Sequence, residues 1–317
     1  MTEVTSPPIP THAKAVRFDH YGGRDVLHLA DVAVPRPSEH EVLVAVRAAG
    51  VNPGEAAIRE GRMDAIFPAR FPSGEGSDLA GVIVATAADS DPFAVGDEVL
   101  GWTDNRASHA EYVIVPVSHL VRKPAQLSWA VAGSLYVAGV TAYAAVTAVG
   151  AQAGDCVAVS AAAGGVGVIA VQLLRRAGAK VIGIASKPHH DLLSSLGAIP
   201  VEYGEGLSER LREAAPEGID AFIDTFGGDY VQLAVDLGVA PERIDTIIAF
   251  DAAQAVGAKT EGSASASTAD VLGKLVQLLA DGSLTVPIAA VFPLAQVRDA
   301  FAQLEQRHTS GKIVLTP

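Results

Sequence analysis

The sequence predicts a two-part α/β protein in which a strand-rich region precedes a doubly wound parallel sheet. Three observations lead there. The first third carries short β-branched runs punctuated by Pro, Gly and Asp. Beyond Ser128, strand patterns alternate with helical ones. A glycine-rich turn, Ser160 to Gly167, lies between a strand pattern and a helix pattern.

Bulk properties set the limits. A chain of 317 residues has room for two domains, and 49% hydrophobic with 19% charged residues supports a packed core. The net charge of −13, without any run of Lys and Arg, excludes a general nucleic-acid-binding role. Cys156 is the single cysteine, which excludes an intrachain disulfide and a cysteine-based structural zinc site and suits a reducing cytoplasm. Met1–Thr11 holds three prolines and lacks the cationic and apolar regions of a signal peptide, so a loose leader is expected. Ser128–Gly154 and Cys156–Leu174 are uncharged and long enough to span a bilayer. They are dominated by Ala, Gly, Ser, Val and Thr, so buried core rather than membrane is expected.

In order along the chain, strands are predicted at Lys14–Phe18, Val42–Val46, Gly81–Ala85 and Tyr112–Val115, a spacing that suits a small barrel or folded sheet. The alternating region follows. It comprises strand Cys156–Ser160, helix Gly165–Ala177, strand Val181–Ala185, helix Asp191–Leu196, strand Pro200–Tyr203, helix Leu207–Ala214 and strand Ala221–Asp224. Helix Asp229–Leu237, strand Ile244–Phe250, a flexible loop at Gly257–Ser267 and helix Ala269–Ala280 complete it. Strands Leu284–Phe292 and Lys312–Leu315 flank a closing helix, Leu294–Gln303.

The turn Ser160-Ala161-Ala162-Ala163-Gly164-Gly165-Val166-Gly167 has the context of a dinucleotide fingerprint, with Ala162 where the first glycine would stand. Gly164 lets backbone approach a pyrophosphate, the helix start offers free N–H groups, and Gly167 permits tight helix–strand packing. The next strand runs into Ser186 and Lys187 rather than the Asp or Glu of an NAD-selective site. A hydroxyl and an ammonium accommodate a 2′-phosphate, so NADP(H) is the expected cofactor.

These residues, with Glu41–Val44, Ala48–Pro53, Asp78–Val82, Val95–Val99, Ala110–Val113, Gly139–Tyr143 and Gly311–Leu315, resemble the zinc-independent quinone oxidoreductases of the medium-chain dehydrogenase/reductase superfamily, the ζ-crystallin-like group. The resemblance spans nearly the whole chain. It implies a GroES-like catalytic domain over residues 1–127 and 285–317, and a Rossmann NADP-binding domain over 128–284, with the active site in the cleft between them. By the same resemblance, Asn52 and Thr141 lie near the nicotinamide. Gly164, Gly165 and Val166, with Gly167, hold the pyrophosphate, and Ser186, Lys187 and Tyr203 surround the 2′-phosphate. Ile248, Ala249 and Phe250 end a strand approaching the nicotinamide, and Lys312 belongs to a closing segment that reaches back to the cofactor. A homodimer through the sheet edge at Arg243–Phe250 is implied too, and the stretch from Phe250 to Ala269 is shorter than such proteins usually show. Zinc-dependent relatives carry ligands at positions near Asn52, Ser77 and Val137, where this chain has none, so no metal is expected.

The expected activity is hydride transfer from NADPH to a small-molecule acceptor, a quinone or an α,β-unsaturated carbonyl. Asn52 is a candidate donor to the developing oxyanion. His109 is the nearest titratable candidate for proton transfer, although a packing role suits it better. Asp78 is read as capping a turn rather than orienting Asn52. Met63–Phe71 is read as an apolar lid or an ordinary loop. Two alternatives stay open: a pathway-specific enoyl- or polyketide-type reductase or cyclase, and a non-catalytic NADPH-binding protein.

Overall fold

The computed structural model describes residues 9–87 and 90–317, so most of the expected leader, residues 1–8, lies outside the described residues. The chain forms two compact units. One comprises Met1–Val137, Thr268–Ala280 and Ile288–Pro317; the other comprises Ala138–Ser267 and Asp281–Pro287.

The first unit begins with β1 (His12–Phe18), β2 (His28–Ala33), β3 (Glu41–Val51), α1 (Pro53–Arg59), β4 (Ser73–Gly74), β5 (Asp78–Thr86), β6 (Glu98–Trp102), β7 (Tyr112–Pro116), β8 (Leu120–Arg122) and α2 (Trp129–Ala132). The alternating region follows with α3 (Tyr136–Val149), β9 (Cys156–Val159), α4 (Gly165–Arg176), β10 (Lys180–Ala185), α5 (His190–Ser195), β11 (Ile199–Glu202), α6 (Leu207–Ala214), β12 (Ala221–Asp224), α7 (Tyr230–Asp236), β13 (Ile244–Thr246) and α8 (Phe250–Val256). The last elements are α9 (Ala269–Ala280), β14 (Ile288–Pro293), α10 (Val297–Glu305) and β15 (Lys312–Thr316).

In the first unit, β1 lies between β2 and β4. A seven-stranded sheet runs β14-β15-β3-β5-β6-β8, with β7 paired to β3. Val42, Leu43 and Val44 of β3 are all buried, because both faces of the curved sheet are covered and strict alternation is lost. The terminal strand β15 pairs antiparallel with the end of β3, Ile313 opposite Val51, which returns the C-terminus to this unit. Helix α9 also belongs here, and the Gln126 amide donates to the Ala280 carbonyl at its end (3.3 Å).

The second unit is a parallel sheet in the order β11-β10-β9-β12-β13, the doubly wound arrangement expected from the alternating pattern. Its strands bury Ala158, Ile182, Ile184, Val201, Phe222 and Ile244 against Leu211, Ile219 and Ala234. Helix α4 buries Gly167 through Gln172 and Leu174, and it places Arg175 and Arg176 in its last turn, where the helix dipole favours cations. Gln172 is buried but satisfied, donating to Val168 and Thr285 carbonyls and accepting from the Thr285 N–H. No helix among the described residues is long and apolar enough to cross a membrane.

Two predicted strands are corrected. Ile244–Phe250 forms strand only to Thr246, and Phe250 opens α8. The Thr246 hydroxyl accepts from the N–H groups of Ile248 (3.3 Å) and Ala249 (3.0 Å), folding the chain into a turn that an apolar run does not announce. The predicted strand Leu284–Phe292 starts later, at Ile288, after Pro287, which has no N–H to pair. The closing helix opens with a 3-10 turn at Leu294–Gln296, and α10 proper begins at Val297.

Two variants follow from this packing. A Cβ on Gly167 would lie 2.4 Å from the Ala161 carbonyl oxygen and 2.7 Å from the Ala162 Cα. Backbone cannot swing aside, so Gly167→Ala is expected to cost about 1–3 kcal/mol in equilibrium urea unfolding. In β13, Asp245 is buried, with one oxygen accepting from the Glu261 N–H (2.7 Å) and the other unpartnered. Burial pushes its carboxyl up to about 7. The folded state therefore keeps this proton to higher pH than the unfolded chain does. The group's stabilising contribution is full below about pH 4 and is lost as pH rises through about 7. Asp245→Asn is expected to flatten that decline and to exceed the parent's stability near pH 8 by roughly 1–3 kcal/mol, read from unfolding curves on both sides of the transition.

Candidate functional site

The glycine turn joins β9 to α4. Ala161 sits in the left-handed region at φ 43°, and its carbonyl accepts from the Gly164 N–H (2.8 Å). Helix α4 opens without a side-chain cap at Gly164, and as at any helix start its first N–H groups, from Gly165, Val166 and Gly167, lack intrahelical acceptors, an arrangement that suits an anion. Ala162, in place of a fingerprint glycine, is fully buried. Its methyl group fits because β10 has Gly183 beside it; a Cβ there would lie 3.1 Å from that of Ala162. The departure from the usual motif is thus compensated one strand away.

Beneath the turn lies a carboxylate that the sequence reading did not single out. Asp224 ends β12, is fully buried, and accepts from the Ser160 hydroxyl (2.6 Å), the Thr246 hydroxyl (2.8 Å) and the N–H groups of Phe226 and Gly227 (3.0 Å each). The Thr225 hydroxyl closes the array on the Ser160 carbonyl (2.7 Å). The ends of β9, β12 and β13 are thereby tied at one point, on the carboxyl edge of a parallel sheet where such folds bind ligands. The signal was present as an Asp closing an apolar strand before Gly227-Gly228.

Ser186 follows β10 and Lys187 begins a 3-10 turn, with its side chain exposed. Tyr203 follows the neighbouring strand β11 and is 45% exposed. Arg210 holds the Tyr203 loop through the carbonyls of Glu202 (2.8 Å), Glu205 (2.8 Å) and Gly204 (3.4 Å). Thr141 is buried in α3. Ile248, Ala249 and Phe250 lie in and after the turn beyond β13 rather than in strand, with Ile248 and Phe250 exposed.

In the first unit, Asn52, His109 and Lys312 gather around Glu55 and Asp78, all of them buried. Asn52 stands between β3 and α1. Its Nδ2 donates to Glu55 (3.0 Å) and to Asp78 (3.1 Å), and its backbone N–H donates to the other Glu55 oxygen (2.9 Å). Its Oδ1 accepts from Lys312. Both amide hydrogens are therefore engaged by protein carboxylates. Asp78 does orient Asn52, and its second oxygen accepts from the Val137 N–H (2.6 Å). Gly50 makes room for it, since a Cβ there would lie 2.4 Å from Asp78 Oδ2. His109 is packed in: Nε2 lies 2.9 Å from the Gly50 carbonyl and 3.9 Å from Glu55, and Nδ1 has no partner.

A second buried pair adjoins this cluster. Arg59 contacts Glu75 at 3.0 Å and stacks over Phe301 at 4.3 Å. Burial outweighs the guanidinium and pushes Glu75 up to about 8. The Met63–Phe71 segment is a turn-rich loop, held where Arg106 donates to the carbonyls of Phe67 (3.4 Å) and Pro68 (3.0 Å), with Phe67 and Phe71 about half exposed.

The positions near which zinc-dependent relatives carry ligands do converge here. The Ser77 N–H donates to Glu55 (3.0 Å), the Val137 N–H to Asp78, and the Asn52 amide to both acids. The side chains at these positions are a carboxamide, a hydroxyl and an isopropyl group, and the Lys312 ammonium already sits among the oxygens. Zinc takes thiolate, imidazole or carboxylate, and here the Glu55 and Asp78 carboxylates are engaged by N–H groups and the ammonium while His109 faces the Gly50 carbonyl, so the set does not fit it.

Comparison with known proteins agrees with this architecture. Residues 38–125 match the alcohol dehydrogenase GroES-like domain, and residues 196–315 match a domain described as zinc-binding dehydrogenase. The chain is 32% identical to the chloroplastic NADPH-dependent alkenal/one oxidoreductase of Arabidopsis thaliana, over 98% of this chain and 81% of that protein. Among solved structures, the quinone oxidoreductase of Coxiella burnetii superposes with a TM-score of 0.85 at 30% identity, covering 96% of this chain and 99% of that one. The quinone oxidoreductase of Escherichia coli complexed with NADPH shares the fold, with a TM-score of 0.86 at 23% identity over 96% of this chain and 100% of that one. On this likeness along nearly its full length, the chain belongs to the zinc-independent, quinone oxidoreductase-like branch of the medium-chain dehydrogenase/reductase superfamily.

Proposed function

We propose that this protein is an NADPH-dependent oxidoreductase that reduces a quinone or an α,β-unsaturated carbonyl without zinc. The observation that carries it is the open helix start after the glycine turn, combined with a β10 strand that runs into Ser186 and Lys187 instead of a carboxylate. The full-length likeness to an alkenal/one oxidoreductase supports the acceptor class.

In this reading the N–H groups of Gly165, Val166 and Gly167, with Gly164 giving access, hold the pyrophosphate. Ser186, Lys187 and Tyr203 receive the 2′-phosphate. In the second unit Thr141 serves the nicotinamide end, with Ile248, Ala249 and Phe250 as a partly exposed apolar margin rather than a strand; in the first unit Asn52 takes that role. Bound NADPH supplies the hydride. Quinones and enones spread the incoming charge over their own conjugated systems, so they need less electrophilic help than an isolated ketone. That matches an Asn52 amide with no free N–H. Water supplies the proton, because His109 is buried and faces the Gly50 carbonyl.

The substrate is thus a small molecule, and a cytoplasmic location suits the single thiol. A homodimer at residues 243–250 would have to use side-chain contacts, because Lys259 already pairs with the free edge of β13.

NADPH oxidation measured with phenanthrenequinone, benzoquinone and a 2-alkenal tests the activity. Turnover with at least one is expected, and tight NADPH binding with turnover of none would overturn it. Lys187→Glu is expected to weaken NADPH binding by about 10–100-fold while changing NADH binding by less than about threefold, as calorimetry would read. Equal losses for both would remove Lys187 from the 2′-phosphate site.

A further inference from the structure

We propose that the Lys312 ammonium is an internal counter-cation, held by three protein oxygens, that positions Asn52 between two buried carboxylates. The proposal deepens the reading of the same site, and it rests on the reductase activity only for its turnover readout.

Sheet register brings the group there. β15 pairs antiparallel with β3, Ile313 opposite Val51, so Lys312 lies beside Asn52 at the point where β3 gives way to α1. Lys312 is 4% exposed. Its three N–H bonds meet three oxygens: the carboxamide of Asn52, the carbonyl of Val51 (3.4 Å) and a carboxylate oxygen of Asp78 (3.5 Å). None is left over for a coenzyme phosphate. Two carboxylates, Glu55 and Asp78, flank Asn52 and take both its amide hydrogens. The carboxamide is therefore clamped between two acids on one side and one ammonium on the other, and it cannot flip without losing all three contacts.

The cation is what makes the clamp affordable inside the fold. Two carboxylates sharing one buried amide repel each other, and solvent is absent to screen them. Without the ammonium, Asn52 Oδ1 and one Asp78 oxygen lose a buried partner. The disturbance then passes through the Asn52 N–H to Glu55 (2.9 Å) into the first turn of α1.

The test uses the full chain and two variants. Lys312→Ala removes the propyl arm and the amine, and n-propylammonium chloride restores that shape and charge from solution. Lys312→Met keeps the volume and removes the charge. We expect Lys312→Ala to lower kcat/KM with benzoquinone by about 30-fold or more, with the loss mainly in kcat and the NADPH Kd changed by less than about threefold. n-Propylammonium should recover at least about tenfold of that loss and raise the Tm of the variant, but not that of the parent. Sodium chloride at equal ionic strength should do neither. Lys312→Met should remain as impaired as Lys312→Ala. If Lys312→Ala is recovered only as unfolded chain, refolding yield with and without n-propylammonium gives the same readout.

Parent-like turnover and Tm in Lys312→Met would overturn the proposal, since space-filling alone would then suffice. So would a Tm and turnover of Lys312→Ala indifferent to n-propylammonium. A collapse of NADPH affinity in both variants would assign the ammonium to the coenzyme instead. If the parent turns over no acceptor, the reductase reading fails, and the thermal rescue still decides the role of Lys312.

Discussion

The Asp224 carboxylate is the point on which the coenzyme half of the molecule depends. It is fully buried and receives hydrogen bonds from side chains on two other strand ends and from the backbone of its own loop. A parallel sheet aligns its strand ends but does not by itself fix the loops beyond them. Here one anion draws Ser160, Thr246 and residues 225–227 to a common centre, and the glycine turn starts immediately after Ser160. The carboxylate is compensated by hydroxyl and amide dipoles rather than by a counter-ion among the described residues.

The first unit solves a related problem with titratable side chains. Glu55, Asp78 and Lys312 are buried together, and a short distance away Glu75 is buried with Arg59. Burying ions is unfavourable unless each finds a partner, and such groups contribute more to a unique geometry than to stability. The two groups differ in how well they are served. Glu75 has one oxygen on Arg59 and is held protonated to about pH 8 by burial. Glu55 accepts from two backbone N–H groups and from the Asn52 amide.

Together these features suit hydride chemistry on an acceptor that manages its own charge. The donors one would look for in carbonyl activation are engaged elsewhere: the Asn52 amide on two acids, the Lys312 ammonium on three oxygens, the His109 ring on Gly50. What the protein retains is position, and with a conjugated acceptor this supplies much of the rate.

The sequence alone determined the order of secondary structure through most of the second unit, because 3.6-residue and strand periodicities are local. Leu207–Ala214 and Ala221–Asp224 fall where the pattern put them, as does Ala269–Ala280 of the first unit. It also determined the glycine turn and the residues after β10, since both are read from a contiguous stretch of chain. Only the tertiary structure decided where Ile244–Phe250 stops being strand, because the Thr246 hydroxyl, held on Asp224 of the neighbouring strand, captures two later N–H groups. It alone revealed that Ala162 is accommodated by Gly183 on the next strand, that Asp78 orients Asn52, and that Lys312, 260 residues away in sequence, ends on the same carboxamide. These are pairings between strands distant along the chain. Sheet register sets them, and no window of sequence contains both partners.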